Sequence, residues 1–249
     1  MEGPHDIEFA ARLLRRWNLH RVKSESRLDR FWEDLIPRTY PPKGDLLKRV
    51  PVPLFLQNDS HSIAIHGAIG DTRIVHTVEE NCALIDVDSI TGIGLILDSD
   101  TQRSPADRYD AIRGELDSRG FMLPEDLGTV ASGAPRFGAF VLPDNTSTGT
   151  LEDLLLECAS LTYPNLLASA KTHIANAVDD PTLDPHDRAD FNKPAGRNKA
   201  IVGSIASVLR PGKAIQVSIQ DNRWVNGETL KRSRIRAIQE FLVSLLELP

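Results

Sequence analysis

Gly94-Leu95-Ile96-Leu97-Asp98-Ser99-Asp100 is the stretch that decides the fold of this chain. Residues 93–97 form a short, continuous apolar run, the pattern of a strand buried on both faces. The run ends in two carboxylates, Asp98 and Asp100. In α/β sheets the strand ends collect along one edge, and that edge is where ligands bind. Further acidic residues stand at comparable boundaries: Glu2 and Asp6 in Glu2-Gly3-Pro4-His5-Asp6, and Glu152-Asp153 after Thr148-Gly149-Thr150-Leu151. Carboxylates gathered at one edge repel each other unless a divalent cation neutralises them, and Mg²⁺ prefers such oxygen ligands. The pattern points to metal-dependent phosphoryl-transfer chemistry.

Outward from this strand, the apolar periods alternate. Pro4 suits the first turn of a helix, and Ile7, Ala10, Leu14 and Trp17 recur at helical spacing, predicting a helix to about residue 19. Residues 20–60 hold Pro37, Pro41, Pro42, Pro51 and Pro53 with little steady period. They read as an insertion with a short helix near residues 28–35. Residues 62–67 alternate toward a strand, and 70–80 read as the helix after it. Ser104 and Pro105 start another helix, with Ile112 and Leu116 on its inner face and Gly120 as its stop. Residues 137–142 form a strand ending at Pro143-Asp144-Asn145, and Thr150 caps the helix that carries Leu151, Leu154, Leu155 and Cys158.

Strands alternating with helices predict an α/β domain over residues 1–162, with a mainly parallel central sheet flanked by helices. Residues 163–249 read as a mainly helical region packed on it, with helices near 165–177, 199–209 and 227–248. An acidic loop holding Asp179, Asp180, Asp184, Asp187 and Asp190 separates the first two.

A chain of 249 residues, 41% hydrophobic and 26% charged, has the composition of a soluble globular protein. No apolar run approaches the roughly 18–20 residues that span a bilayer, and the amino terminus lacks a signal-peptide pattern. The expected location is cytoplasmic, with no membrane partner. Cys82 and Cys158 fit no metal spacing and read as reduced thiols. The net charge of −6 argues against a generic nucleic-acid coating protein. The charge is uneven: residues 193–236 hold ten Lys and Arg against Asp221 and Glu228, a local +8 that leaves −14 for the remainder. That segment reads either as a phosphate-gripping surface or as a salt-bridged helical face. Trp224 reads as core. No Walker-type glycine loop is present, so ATP hydrolysis by that route is excluded.

Glu2-Gly3-Pro4-His5-Asp6 before a helix, followed by an apolar strand ending in Asp98-Ser99-Asp100, resembles the Toprim domain. That fold is shared by topoisomerases, bacterial primases, recombination mediators and nucleases of the OLD (overcoming lysogenisation defect) type. Phe140-Val141-Leu142-Pro143-Asp144-Asn145, Gly149-Thr150-Leu151-Glu152-Asp153 and Asn198-Lys199-Ala200 resemble the small Toprim-like relatives of OLD nucleases. The resemblance covers about residues 1–20, 60–160 and 190–225.

It implies a Toprim-like fold and a nuclease that hydrolyses phosphodiester bonds of DNA or RNA with two Mg²⁺ or Mn²⁺ ions. It implies Glu2, Asp6, Asp98, Asp100, Glu152 and Asp153 as metal ligands. Glu2, Asp98, Asp100 and Lys199 would be the catalytic residues, with Lys199 stabilising the pentacovalent phosphate. It also implies a separate ATPase partner and a role in phage defence; a homo-oligomer is compatible with it. The competing class is a non-catalytic Toprim-like binding or regulatory module. Primase and topoisomerase chemistry rank far behind, because Tyr40, Tyr109 and Tyr163 lack a strand-passing context. The family's glutamate ends a β-strand; here Met1 precedes Glu2, and an apolar strand encoded upstream would complete the motif.

Overall fold

In the computed structural model, which describes residues 1–39, 44, 46, 52–68, 70–99, 103–178 and 180–249, helix α1 (Pro4–Leu14) comes first. Three short strands follow: β1 (His20–Arg21), β2 (Leu54–Gln57) and β3 (Ser62–Ile65). Helix α2 (Ile74–Cys82), strand β4 (Gly92–Asp98), helix α3 (Pro105–Asp117), strand β5 (Arg136–Leu142) and helix α4 (Leu151–Thr162) then alternate. The remainder is helical: α5 (Pro164–Val178), α6 (Gly196–Leu209), α7 (Ile215–Asp221) and α8 (Ser233–Leu246).

β4 and β5 pair in parallel, in a register from Gly92↔Arg136 to Asp98↔Leu142. Successive side chains of a strand point to opposite faces. Ile96, Phe140 and Leu142 accordingly join the core that holds Leu13 of α1, Leu154 of α4 and Leu242 of α8. Leu95, Leu97, Ala139 and Val141 join the other core, with Ile74 and Val75 of α2 and Tyr109, Ile112 and Leu116 of α3. The pair is thus covered by helices on both faces, which is why its sequence reads as an unbroken apolar run. The core on the α1 side extends from Phe9 to Leu248, and α8 packs across β4 and β5.

The expectation of a mainly parallel central sheet is corrected. Among the described residues β4 and β5 are the one parallel pair, while β1, β2 and β3 form a separate antiparallel sheet. The source of the error is the stretch at 20–60. Its prolines suggested an excursion, yet it supplies β1 and β2. A hairpin through Asn58-Asp59-Ser60-His61 joins β2 to β3, with Asn58 N–H donating to the His61 carbonyl and Asn58 Oδ1 accepting from the Ser60 and His61 N–H groups. The short helix expected near 28–35 is a 3₁₀ segment, Arg30–Leu35, and Trp32 and Leu35 pack with Phe55 of β2 in a third small core. Helix α7 had no counterpart in the sequence reading. Trp224 is fully buried, with its indole N–H on Ser218 Oγ at 2.9 Å. Both cysteines are free thiols. No described helix is long and apolar enough to cross a membrane.

α8 lies so close to β4 that glycine is required beneath it. A Cβ on Gly92 would stand 2.4 Å from the Leu245 carbonyl oxygen, a backbone atom that cannot swing aside. Gly92→Ala should therefore cost about 1–3 kcal/mol through displacement of α8. Denaturant unfolding measures this, and an unchanged midpoint would reject the close seating of α8 on β4.

Candidate functional site

Two helix beginnings and the end of β4 meet at one place, and each brings a carboxylate for a local reason. α1 opens with Gly3 before Pro4, and Asp6, in its first turn, reaches back to accept the Gly3 N–H at 2.8 Å. α4 opens in the same way: Asp153 Oδ2 accepts the Thr150 N–H at 2.8 Å in a capping box. Glu152 is buried beside it and accepts the Thr150 hydroxyl at 2.8 Å. Asp98, at the end of β4, accepts the N–H of Leu151, the first residue of α4, at 2.9 Å. An unpaired N–H at a helix start is a natural partner for a carboxylate.

Glu2 is fastened to the same point. Its Oε1 accepts the Asp98 N–H at 3.0 Å and lies 3.4 Å from Arg108 Nη2. Arg108 comes from the first turn of α3, with its side chain 5% exposed, and its Nε donates to the Asp98 carbonyl at 3.3 Å. Ser99, fully buried, closes the other side: its hydroxyl donates to the Gly149 carbonyl at 3.1 Å and accepts the Gly149 N–H at 2.8 Å. Gly149 has φ +155°, and a Cβ there would meet Asp153 Oδ2 at 2.6 Å. This glycine lets the chain turn from β5 into α4 beneath the site.

The electrostatics follow from this convergence. Burial pushes the Asp98 carboxyl well above the usual range, and the charges of Asp6, Glu2 and Glu152 push it further; the Leu151 N–H opposes them. Burial likewise raises Asp6, with Glu152 adding to it, against the Gly3 N–H, the Met1 amino group and His5. Glu2, Asp6, Asp98 and Glu152 are therefore close enough to act on each other. Asp100 lies outside the described residues. Asp153 is drawn away from the group, since its Oδ1 accepts the Asn198 side-chain amide at 2.9 Å. That bond sets the first turn of α6 beside the start of α4. Lys199, next to Asn198, is exposed and makes no ion pair among the described residues.

An all-oxygen set of two Asp and two Glu suits a hard divalent cation such as Mg²⁺ or Mn²⁺. As the side chains stand, no group of three or more His, Cys, Asp or Glu among the described residues is arranged to hold an ion. Asp98 Oδ1 and Glu2 Oε1 are instead occupied by backbone N–H groups.

Sequence reasoning missed Arg108 and Ser99. A basic side chain four residues after Ser104 sits where the helix dipole disfavours a cation. That misfit is a sequence signal for an anionic partner. Of the two readings of the basic stretch at 193–236, internal pairing is the one observed for most of it near α8. Lys231 pairs with Glu228, Arg232 with Glu157, Arg236 with Glu240, and Arg210 with Asp221. Arg234 Nε donates to Asp144 Oδ2 at 2.8 Å and its Nη2 to Ser147 Oγ at 3.3 Å, bracing the loop after β5. Burial pushes Asp144 up, but hydrogen bonds from Ser147 and Thr146 outweigh it and hold this carboxyl well below the usual range.

The chain belongs to the DUF3226 family, described as a protein of unknown function, with residues 1–247 matched. The hypothetical protein PH0156 from Pyrococcus horikoshii OT3 is similar in fold, with a TM-score of 0.56 over 99% of this chain and 93% of that one at 17% sequence identity. No curated protein matches the sequence.

Two outcomes follow from this geometry. Folding raises the Asp98 carboxyl well above its unfolded value of about 4, so its contribution to stability is fully present below that value and is lost as pH rises through the raised folded value. Asp98→Asn keeps the acceptor for Leu151 N–H and removes the charge. In chelator it should melt higher than the parent at about pH 7, and the gap should close toward about pH 4. Equal melting at neutral pH would show that the carboxylates do not repel. Arg234→Ala should cost about 1 kcal/mol, given the partial exposure of the pair, and lower the melting temperature by about 2–4 °C.

Proposed function

We propose that this protein is a Toprim-like nuclease that hydrolyses phosphodiester bonds of DNA or RNA with two Mg²⁺ or Mn²⁺ ions. The observation that carries the reading is the half-buried Asp98 carboxyl, pushed up by desolvation and by Asp6, Glu2 and Glu152 around it. Such a cluster is costly in the absence of a cation, and perturbed groups of this kind concentrate at functional sites.

Bound divalent ions would supply an activated water and neutralise the phosphate. The residues that would hold them are Glu2, Asp6, Asp98 and Glu152, with Asp100 in the same role by resemblance. Arg108 keeps the Glu2 carboxylate turned toward Asp98. The N-terminal end of α4 offers a positive dipole to a phosphate group. Lys199 stands in the first turn of α6, held near α4 by the Asn198–Asp153 bond, and would oppose charge that builds on the phosphoryl oxygens. In this proposal Asp153 positions α6. A separate ATPase partner and a role in phage defence rest on the resemblance to OLD nucleases alone.

A second reading has its own support. The bonds from Leu151 to Asp98, from Asp98 to Glu2 and from Thr150 to Glu152 give three of the carboxylates structural partners. Acids used in this way suit a non-catalytic binding or regulatory module that keeps the fold.

Calorimetry with Mn²⁺ and cleavage assays separate the readings. The nuclease should bind Mn²⁺ and cut plasmid, single-stranded DNA or transfer RNA with Mg²⁺ or Mn²⁺, and stop with chelator. Asp98→Ala should abolish Mn²⁺ binding. Lys199→Ala should keep binding and lower turnover by about a hundredfold or more. A folded protein that binds no Mn²⁺ and cuts none of the three substrates, with any ATPase encoded beside it added, would reject the nuclease in favour of the binding module.

A further inference from the structure

The chain has a second basic window, and the fold treats it differently from the first. Near α8 the cations of residues 193–236 are mostly paired with carboxylates. Residues 12–30 hold seven Lys and Arg against Glu25 and Asp29, a local +5 in a chain whose net charge is −6. Two of the seven are used inside the fold: Arg12 Nη2 donates to the Val225 carbonyl at 3.0 Å, and Arg21 pairs with Glu8. The two acids are used as well, since Glu25 pairs with Arg38 and Asp29 Oδ1 accepts the Phe31 N–H at 3.1 Å. Arg15, Arg16, Lys23, Arg27 and Arg30 are exposed and make no ion pair among the described residues. Cations left unpaired in this way are what an anionic partner can use.

Lys23 and Arg27 stand on the wall of a cleft. β1 starts at His20 and lies against β2, with His20 opposite Gln57. Beyond β1 the chain passes through Lys23 into a 3₁₀ turn, Glu25–Arg27, none of whose residues is buried. This turn and the hairpin between β2 and β3 border a space of about 860 Å³, lined by His20, Lys23, Ser26, Arg27, Gln57 and Asn58 among others. Its size falls within the roughly 300–1,000 Å³ of small-molecule sites, but those are mainly apolar. Here the walls carry cations and the hydroxyls of Ser24 and Ser26, which lie 2.8 Å apart, and Asp59 is the one carboxylate among the described lining residues. An occupant that suits such walls is polar and negatively charged.

Two further features match a nucleic-acid strand. Gln57 Oε1 is buried and accepts no hydrogen bond among the described residues. A buried acceptor left unpaired is costly. An ionised phosphate offers it no donor, whereas a base amino group or a ribose hydroxyl does. The free cations also continue past the cleft. Asn58 Nδ2 donates to the Trp17 carbonyl at 2.9 Å, which holds the 3₁₀ turn Arg15–Trp17 beside the hairpin. Arg15 and Arg16 are exposed on that turn, with the Arg16 guanidinium 5.7 Å from the centre of the Trp17 ring. A strand with repeated phosphates can meet Lys23 and Arg27 in the cleft and Arg15 and Arg16 beyond it.

We propose that this cleft, continued by Arg15 and Arg16, is a docking surface for a single nucleic-acid strand. Lys23, Arg27, Arg15 and Arg16 hold its phosphates, and Gln57 accepts a hydrogen bond from a base or sugar. The surface is separate from the carboxylate cluster: α1 starts beside the cluster and carries the chain about 16 Å along its axis before Arg15. Phosphate contacts there set affinity and position, not chemistry. The inference shares with the proposed function only the kind of partner, and it needs no metal, no cleavage and none of the carboxylates.

Fluorescence anisotropy in chelator reads binding apart from cleavage. Labelled single-stranded DNA and RNA oligonucleotides are the probes, and at least one should bind the parent with an affinity that falls as salt rises. Lys23→Gln with Arg27→Gln removes two phosphate contacts. It should lower affinity by about tenfold or more and flatten the slope of log K against log salt by about 1.4. Lys231→Gln with Arg236→Gln makes the same change in net charge where the cations are paired, and should leave affinity and slope as they are. Gln57→Leu should weaken binding with the slope kept; if it does not fold, the exposed pair Lys23 and Arg27 carries the test. Parent-like affinity and slope in the Lys23 and Arg27 variant overturn the inference, as does an equal loss in the Lys231 and Arg236 variant. Binding of phosphatidylserine vesicles through Lys23 and Arg27, with neither oligonucleotide bound, overturns it in favour of an anionic membrane surface. Cleavage is read separately with Mn²⁺. Binding through the cleft without cleavage supports this inference and counts against the nuclease alone, whereas cleavage with undiminished affinity in the Lys23 and Arg27 variant keeps the nuclease and rejects the cleft.

Discussion

The hydrogen bond from the Leu151 N–H to Asp98 Oδ1 joins the end of β4 to the start of α4, and the site is assembled around it. Glu2 reaches the same point through the Asp98 N–H, and the Ser99 hydroxyl holds Gly149 just before α4 begins. A hydrogen bond to a charged carboxylate is worth about 1.5–3 kcal/mol, and a neutral one such as that of Ser99 about 0.5–1.5 kcal/mol. These bonds do not cancel the opposing effect, because Asp98 is still pushed upward by burial and by three neighbouring carboxylates. The fold thus spends backbone bonds to hold acids in a place where their charge is unfavourable. A proton or a cation relieves the same strain, and those are the two responses available to the cluster.

Where the sequence was legible, the signals were local. The apolar runs at 93–97 and 137–142 became β4 and β5, and the Ser104-Pro105 and Thr150 starts opened α3 and α4. β1 could not be read because it is two residues long and exists through its pairing with Gln57 and Leu56. β2 was hidden by flanking prolines, although Asn58-Asp59 marked a turn beyond it. The start of α8 was placed six residues early because Thr229–Lys231 forms a 3₁₀ turn before the helix begins at Ser233. The carboxylates could be picked out by their position at element ends. Ser99 left no such mark and Arg108 only that of a cation in the first turn of a helix, since their partners, Gly149 and Glu2, lie 50 and 106 residues away in the chain.

The basic stretch shows a different limit. A local surplus of ten basic against two acidic residues is a property of a window in the sequence, whereas a binding surface is a property of what stays unpaired. Two of the acids that matter, Asp144 and Glu157, lie outside that window and meet Arg232 and Arg234 only in the fold. Arg234 then serves the loop after β5, the same segment that leads through Gly149 to α4. Its contribution to the site is mechanical: it steadies the approach to α4.

Glu2 is the carboxylate of the cluster that lies outside any strand or helix. Asp98 ends a strand, and Asp6, Glu152 and Asp153 lie within helices, whereas Glu2 is tied by the bridge at Met1, the Gly70 N–H on its carbonyl, the Asp98 N–H and a contact with Arg108. Sites depend on geometry fixed by rigid elements, and these ties join Glu2 at once to the turn after β3 and to the end of β4.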